Sequence, residues 1–358
     1  MMPGFGPWDM PTLLPHQVLL KGTAPALPQM LPLHRGSNRR GQPLIRPKHL
    51  RLIIALLATP LLAQTAPTRP PVTGISHVAY YVSDMPGALT FWHDLLGFDL
   101  SYDRKAPNST ATTVAFLKVN DHQYVELLSD PPAQTKNFLS HICFLTDSIE
   151  QMRLYLASKG IDVPAHPSRT KTGDLVFSIK DPDGTQIEFS QPQPASVEAQ
   201  GIGKFLPADR ISQHIYHAGF LVGNTQRALD FYSNILGFQE TWRGASNPAQ
   251  LSWINLRVPD GTDYVELMLY RTLPATYGNS NHVALEVPDL AAAITALQTR
   301  PAFKTYAKLL TPHTGVNGKR QLNLYDPDGT RVELMEPFTA DGKPVPPSTA
   351  PPPPPAHD

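Results

Sequence analysis

The second half of the chain repeats the first, and this repeat constrains the fold more than any other feature. His217 follows His77 by 140 residues, and Glu333 follows Glu188 by 145. A repeat of this length is far longer than a solenoid unit and indicates a duplicated domain. Two histidines and two glutamates recur in the same order in each half: His77, Glu126, His141 and Glu188, then His217, Glu266, His282 and Glu333.

Length and composition agree with a duplicated domain. The 358 residues are too many for one ordinary core, so we expect two similar domains at residues 74–192 and 211–337, joined by a linker at 193–210. Thirty basic and thirty acidic side chains give zero net charge, which argues against a nucleic-acid partner. Cys143 is the only cysteine, so an intrachain disulfide and a thiolate-rich zinc site are excluded. A metal site in this chain must use histidine and carboxylate ligands.

Both ends of the chain differ from the repeats. Residues 1–73 form a predicted leader in which a basic cluster at 46–51 precedes a short apolar run at 52–63. This pattern is typical of a secretory signal cleaved after Ala63, and it predicts a periplasmic or secreted protein without a membrane span after cleavage. The alternative is an organelle transit peptide, since the segment is also rich in arginine and poor in acids. Residues 338–358 are rich in proline and are expected to form a disordered tail.

Each half can be divided further into two similar units. A β-rich segment at residues 75–82 precedes a helix that Ser83 or Asp84 can cap and that Gly97 ends. Strands are expected at 113–119 and 123–128, and the pattern then restarts with a strand at His141, a helix at 148–158 and a hairpin over 175–189. The turn of that hairpin is Asp-Pro-Asp-Gly, at 181–184 and again at 326–329. The chain is therefore predicted to be an α+β protein of four β-α-β-β-β units.

The alternation of side chains along strands places the histidines and glutamates on one face. His77 faces away from Val78 and Tyr80, and Glu188 lies between the apolar residues Ile187 and Phe189. Carboxylates on the inner face of a curved sheet are costly unless they are paired or bind metal. Two histidines and two carboxylates suit Zn, Ni, Co, Mn or Fe(II).

A structural role is the alternative for each of these residues taken singly, because a lone histidine in a strand is more often hydrogen-bonded than metal-bound. Their joint recurrence favours up to two metal sites per chain. Three other histidines, His93, His122 and His214, have no counterpart in the other half and are interpreted as surface or core residues.

Together, the histidine strands, the Gly-Phe helix ends, the Val-Glu-Leu strands and the Asp-Pro-Asp-Gly turns followed by Ile/Val-Glu resemble the vicinal oxygen chelate (VOC) superfamily. This superfamily includes glyoxalase I, extradiol dioxygenases and the bleomycin-resistance proteins. The resemblance implies tandem curved, partly open barrels of paired modules, with a divalent metal held at the eight positions named above. In a glyoxalase-like arrangement each site would combine both halves, whereas in a dioxygenase-like arrangement each site stays within one half. We expect the second arrangement, because contiguous domains need no exchange of elements.

Several positions depart from the family patterns. Tyr81 and Leu221 stand where glyoxalase I commonly carries an arginine that holds glutathione, and Asp130 and Tyr270 replace an expected asparagine. Glutathione is therefore doubtful as a cofactor. Ser178 and Asn323 stand where extradiol dioxygenases usually carry a tyrosine, and His313 lies near the place of their catalytic histidine, without a counterpart in the first half.

The sequence favours a metal-dependent lyase or isomerase that acts on a small molecule with adjacent oxygens through an enediolate. Glu188 and Glu333 are the candidate catalytic bases, with Glu126 and Glu266 as alternatives. An extradiol ring-cleaving dioxygenase is the competing enzyme, and a sequestering protein of the bleomycin-resistance type is the competing non-enzyme. The expected partner is a small-molecule substrate, and the protein is expected to be a monomer of two domains or a homodimer.

Overall fold

The computed structural model describes residues 67–132, 138–247, 250–346 and 348. The first half of this part forms one sheet of eight strands, in the spatial order two-three-four-one-five-eight-seven-six along the chain. The first and fifth strands are antiparallel neighbours at its centre, and each runs parallel to the last strand of its own unit. The strands are β1 (Gly74–Val82), β2 (Leu100–Lys105), β3 (Thr112–Lys118), β4 (Tyr124–Ser129), β5 (Leu139–Leu145), β6 (Ser168–Arg169), β7 (Leu175–Lys180) and β8 (Gln186–Gln191).

The second half forms a second sheet with the same topology and the same central pairing. Each sheet therefore consists of two four-stranded units that meet at their histidine strands, and the predicted α+β architecture of tandem half-barrels is confirmed. The strands are β9 (Ile215–Val222), β10 (Gln239–Gly244), β11 (Trp253–Arg257), β12 (Tyr264–Leu269), β13 (His282–Glu286), β14 (His313–Thr314), β15 (Lys319–Tyr325) and β16 (Arg331–Thr339).

Helices cover the outer faces of the sheets. The first helix of each half is short and continues directly as a π-helical segment, which ends at a glycine with positive φ, 81° at Gly97 and 80° at Gly237. The first helix therefore ends where the sequence predicts it, and the helix of the second half ends at the equivalent glycine. The helical segments are α1 (Met85–Leu89) with its π segment Thr90–Leu95, α2 (Ile149–Ser158), α3 (Val197–Gln200), α4 (Thr225–Leu229) with its π segment Asp230–Ile235, and α5 (Leu290–Thr299) followed by the 3₁₀ turn Pro301–Thr305.

The hydrophobic core lies between the helices and the outer faces of the sheets. Val78, Tyr80 and Val82 of β1 are buried there beside Trp92, as period-two alternation requires. One continuous cluster of buried apolar residues includes side chains of both halves, and Phe144 packs edge-to-face on Phe238 across them. The inner faces of the sheets are thereby left for polar side chains.

Three predicted segments outside the repeats have different outcomes. The predicted secretory signal lies outside the described residues. The linker is not featureless, because it contains α3, whose N-cap Ser196 accepts a hydrogen bond from the backbone N–H of Ala199. The sequence predicts a disordered tail from residue 338, but β16 continues to Thr339, and a turn follows in which Thr339 N donates to the carbonyl of Lys343 at 2.9 Å. Because of the pairing with β15 and this turn, the start of the predicted tail is ordered. Residues 67–73 of the predicted leader are also described; there, Val72 is buried and Arg69 pairs with Asp260 at 2.9 Å.

No helix in the described part of the chain is both long and apolar enough to span a membrane.

Candidate functional site

The first site lies on the inner face of the first sheet, where its four central strands meet. His77 of β1 lies beside Tyr124 of β4, and Ala79 lies between Glu126 of β4 and His141 of β5. Glu188 enters from β8, paired with Cys143. Because these positions are separated by even steps along neighbouring strands, all four side chains project to the same side.

The four polar ends converge closely. The Nε2 atoms of His77 and His141 lie 3.0 Å apart. A carboxylate oxygen of Glu126 lies 3.6 Å from His77 Nε2 and 3.4 Å from His141 Nε2. The corresponding distances from Glu188 are 3.7 and 3.9 Å. Every residue of this group comes from the first half, as expected for closure within each half.

The second half forms a matching group. The Nε2 atoms of His217 and His282 are 3.0 Å apart, and Glu333 lies 3.5 and 3.6 Å from them. Glu266 lies 3.8 Å from His282. Gly219 makes this packing possible, because a Cβ at that position would lie only 2.0 Å from the His282 ring.

Both groups are buried, and burial controls their protonation. Burial and the neighbouring His141 hold the pKa of His77 well below its usual value, and burial lowers the pKa of His141 to about 4. Burial and Glu188 raise the pKa of Glu126 to about 8, while burial raises that of Glu188 to about 7. Burial raises the glutamate pKa values and lowers the histidine pKa values in the second group as well. Between about pH 4 and pH 7, and without a cation, the first group is therefore most stable as neutral imidazoles and protonated carboxyls.

These groups fit a divalent metal ion. Two ligands about 2.1 Å from one metal at tetrahedral or octahedral angles lie roughly 3.0 to 3.4 Å apart. The inter-ligand distances of 3.0 to 3.9 Å in the first group are close to this separation. In each half, two histidines and one glutamate (Glu188 or Glu333) place their ligand atoms within 4.8 Å of one another, and the other glutamate lies beside them. The donor set, neutral imidazole with carboxylate, suits the metals expected from the sequence.

The two groups differ in the partners of the histidine Nδ1 atoms. In the first half, Nδ1 of His77 and of His141 each lie 3.2 Å from the hydroxyl of the preceding serine, Ser76 or Ser140. A serine oxygen that accepts from Nδ1–H leaves Nε2 free for a metal. The sequence reasoning missed these serines, although their position directly before each histidine is visible in it.

In the second half, His217 Nδ1 has no hydrogen-bond partner among the described residues. Nδ1 of His282 lies 3.0 Å from the carbonyl of Ser280 and is also in close contact with the guanidinium of Arg331. Arg331 was not among the predicted site residues. Its counterpart in the first half, two residues before the glutamate, is Gln186.

A cavity of about 200 Å³ opens over the first group. Its lining includes all four predicted ligands, two cationic side chains, Arg104 and Lys171, and a wall of apolar and aromatic residues. Within that wall Phe116 stacks on Tyr124 with ring centroids 4.4 Å apart, and Tyr124 stacks on His77 at 4.5 Å. The candidate metal position of the first half is thus accessible to a small molecule.

The unmatched histidines lie apart from the groups. His93 and His122 are exposed. His214 Nε2 pairs with Asp263 at 2.7 Å, and although burial lowers its pKa, hydrogen bonds to Asp263 and Glu286 raise it to about 9. His313 is exposed in β14. The structure therefore gives none of them a place among the ligands.

Comparison with known proteins identifies the family. The model of the Glyoxalase/Bleomycin resistance protein/Dioxygenase superfamily matches residues 74–189 and 214–334. The chain belongs to this superfamily.

Two curated relatives match parts of the chain. Glyoxalase I of Saccharomyces cerevisiae is 22% identical over 217 residues, a match that covers 54% of this chain and 63% of the yeast protein. The match therefore spans less than two thirds of the yeast protein. A virulence protein of Salmonella typhimurium is 32% identical over 122 residues, which cover 33% of this chain and 83% of that protein.

Solved structures share the fold over most of the chain. A Mn(II)-bound glyoxalase from Novosphingobium aromaticivorans superposes with a TM-score of 0.58 at 20% identity, covering 79% of this chain and 89% of that chain. A variant of homoprotocatechuate 2,3-dioxygenase from B. fuscum superposes with a TM-score of 0.58 at 17% identity, covering 80% of this chain and 77% of that chain. At these identities the likeness concerns the fold, and it includes proteins of two different reaction classes.

Proposed function

We propose that the chain is a divalent-metal-dependent enzyme of the glyoxalase-I-like lyase or isomerase type. Its substrate would be a small molecule with adjacent oxygens, converted through an enediolate. The observation that carries this proposal is the convergence of His77, Glu126, His141 and Glu188 at the base of an accessible cavity. A divalent ion held there would supply a Lewis acid for two neighbouring oxygens of the substrate.

Glu188 is the proposed base of the first site, and Glu333 that of the second. A pKa of about 7 suits Glu188 to accept a proton from a carbon and return it to the neighbouring carbon near neutral pH. The hydroxyl of Ser178 donates to Glu188 at 3.1 Å and positions the carboxylate. Glu126, with a raised pKa of about 8, is the alternative base.

Cofactor and partner proposals follow from the same site. The proposed cofactor is a divalent ion, while glutathione remains doubtful because Tyr81 and Leu221 replace the expected arginine. A cavity of about 200 Å³ supports a small-molecule substrate.

An extradiol ring-cleaving dioxygenase is the second candidate. The groups His77, His141 and Glu188 and, in the second half, His217, His282 and Glu333 have the composition of the two-histidine, one-carboxylate set of non-haem Fe(II) oxygenases. The dioxygenase among the structural neighbours supports this alternative.

The proposal can be tested in two steps, first by metal content and then by reaction type. Elemental analysis after reconstitution with Zn, Ni, Co, Mn or Fe(II) should give up to two ions per chain, and replacing Glu188 and Glu333 together by Gln should sharply weaken binding. Absence of stoichiometric metal after reconstitution would leave the sequestering protein as the better hypothesis. Conversion of ketoaldehyde adducts without oxygen uptake supports the lyase or isomerase, whereas oxygen uptake with catechols supports the dioxygenase.

We also propose that the chain is exported and that its N-terminal segment is removed near Ala63. The basic cluster and the short apolar run support this, and residues from Arg69 onward already pair with the folded part. N-terminal sequencing of the mature protein should find a start near Gln64 in an extracytoplasmic fraction. An intact N-terminus in the cytosol contradicts the proposal.

A further inference from the structure

A cavity of about 270 Å³ lies in the second half, beside the group that contains His217 and His282. None of the four predicted ligands of that half is among the described residues that line it. Tyr264 lines the cavity and also stacks on His217 with centroids 4.5 Å apart, so the cavity adjoins the group through this ring.

Two cationic side chains face this cavity. Lys319, at the start of β15, is only 4% exposed, and its Nζ donates to the hydroxyl of Tyr216 at 2.8 Å. Arg257, at the end of β11, donates to the side-chain oxygen of Gln239 at 2.6 Å. No carboxylate of the described residues lies within 4.0 Å of either cation; Glu286 and Glu333 act on Lys319 from farther away, and burial outweighs them and lowers the pKa of Lys319 to about 8. A buried cation without a directly paired carboxylate is costly, and a bound anion would offset that cost.

Two buried polar atoms in the lining also lack a partner. Arg257 Nε and Asn255 Oδ1 have no hydrogen-bond partner within the part of the chain that the structure describes. Since buried polar groups are nearly always hydrogen-bonded, both atoms indicate a polar ligand or water in this cavity. Asn317, 7% exposed, adds a further amide to the lining.

The rest of the lining is aromatic. Tyr216, Trp242, Tyr264 and Phe338 contribute ring surfaces, and Lys319 Nζ lies 4.3 Å from the centroid of the Tyr216 ring. Flat rings pack favourably against such surfaces. The cavity thus combines positive charge, amide groups and aromatic walls.

The corresponding place in the first half has the opposite character. Asp174 occupies the position of Lys319, seven residues before the Asp-Pro-Asp-Gly turn. Lys118 occupies the position of Arg257, but it pairs with Asp121 at 3.0 Å and contacts the carbonyl of Gly201. Glu198 of the linker helix also lines the cavity there. At these two positions, the pair of cations without a carboxylate within 4.0 Å is therefore found in the second half and not in the first.

We propose that the cavity of the second half binds a small planar carboxylate, of the size and type of benzoate, with Lys319 and Arg257 holding the carboxylate and the aromatic side chains holding the ring. None of the proposed metal ligands lines this cavity, so the proposal does not depend on the metal chemistry.

Calorimetric titration of the full chain with benzoate, in the presence of a metal chelator, tests the proposal. Benzoate should bind, and benzamide, its neutral isostere, should bind at least tenfold more weakly. Replacing Lys319 by Met should weaken benzoate binding at least tenfold, whereas Lys319→Arg should retain most of it. Methionine is of similar length and apolar, so the variant is expected to fold, which its thermal transition verifies.

Arg320→Gln is the matched control, because it removes one positive charge from the exposed neighbour in the same strand. Benzoate affinity should be unchanged in this variant. Equal binding of benzamide, an unaffected Lys319→Met variant, or binding that requires metal would each overturn the proposal. Absence of any binding would mean that the cavity holds water only and would also reject it. The chelator keeps these outcomes separate from success or failure of the metal-dependent function.

Discussion

The surroundings of the Nδ1 atoms of the four histidines distinguish the two candidate metal groups, which otherwise contain the same types of residue. Serine hydroxyls lie beside both Nδ1 atoms in the first half. In the second half Arg331, which can only donate, contacts Nδ1 of His282 and competes there with the carbonyl of Ser280, which accepts from Nδ1–H at 3.0 Å. Where Arg331 donates to Nδ1, the tautomer carries its proton on Nε2 and cannot bind a metal through that atom, and the positive charge of Arg331 also opposes a metal cation. The first group should therefore bind metal more tightly than the second.

Exchanging Arg331 with its counterpart tests this difference. Arg331→Gln should strengthen metal binding by the second group about tenfold, within the range that outer partners of metal ligands produce. The reciprocal Gln186→Arg should weaken the first group by a similar factor. Competition titrations with a chromophoric chelator would resolve the two binding steps. Equal affinities in the unaltered protein, or no change in either variant, would show that the Nδ1 partners do not control binding.

Raised glutamate pKa values make the metal-free protein sensitive to pH. Glu126 and Glu188, with pKa values of about 8 and 7, keep protons that the unfolded chain loses near 4.5. Their contribution to the free energy of unfolding therefore falls as the pH rises from about 4.5 to 8. His141, with a pKa of about 4, acts oppositely, because the unfolded chain takes up its proton below 6.5. Above pH 6.5 the histidine no longer changes the stability, and only the decrease caused by the glutamates remains.

In chelator, Glu126 and Glu188 should lower the free energy of unfolding by roughly 3 kcal/mol between pH 6.5 and 8.5, and Glu266 and Glu333, with pKa values of about 8 and 7, should add a similar decrease. Urea denaturation across this range measures it. Loss of the His214 proton lowers stability in the same window, since its pKa is about 9, and this effect should persist in a Glu126→Gln, Glu188→Gln variant. That variant should therefore show a flatter profile, as should the metal-loaded protein. A profile that is the same in all three would contradict the assignment.

Among the secondary-structure elements, the duplicated Asp-Pro-Asp-Gly turns join the two halves. Oδ2 of Asp183 accepts a hydrogen bond from the backbone N–H of Gly223 at 2.9 Å, just before α4. Oδ2 of Asp328 accepts from the backbone N–H of Ser83 at 2.9 Å, just before α1. Each turn thus fixes the chain entering the first helix of the opposite half. The sequence marked these segments only as turns.

Removing one of these carboxylates should lower stability without affecting the metal groups. Asp328→Ala leaves the Ser83 N–H without this acceptor and should cost about 1 kcal/mol, as loss of a helix-capping acceptor does. Asp183→Ala should cost a similar amount, because its place in the other half is equivalent. Thermal unfolding measures the stability of both variants, and metal titration measures their metal affinity. A loss of metal affinity, or an effect in only one variant, would contradict this account.

The strands and the convergence of the histidines and glutamates were predictable, whereas contacts between distant residues were not. Period-two alternation and the joint recurrence of the histidines and glutamates pointed to one inner face, and their side chains converge there. The Arg331 contact and the ordered start of the tail at Thr339 depend on strand register and on partners far along the chain. A sequence alone does not determine these features. The same residue can lie beside a metal ligand or on the surface, depending on which distant residues pack against it.

At the scale of the whole molecule, the two halves share one apolar core and exchange equivalent hydrogen bonds. Gln123 of the first half accepts from the backbone N–H of Ile215 at 2.8 Å, and Asp263 of the second half accepts from that of Ile75 at 2.8 Å. Tyr155 donates to the carbonyl of Ile235 across the same boundary. Each metal group is complete within one half, but the support of each half comes partly from the other.

Expression of the first half alone separates the completeness of its metal group from its dependence on the second half for stability. Residues 74–192 expressed alone should be much less stable than the full chain, because Phe144 and its neighbours lose their packing against Phe238 and the hydrogen bonds at Ile75 and Ser83 lose their acceptors. Adding residues 193–348 should restore a cooperative unfolding transition and tight binding of metal by the first group. Circular dichroism and metal titration of the separate and mixed halves measure both properties. An isolated first half that folds cooperatively as a monomer, with full stability, would show that the shared core contributes little. Retention of a tight metal site by that monomer would still agree with closure of each group within its own half.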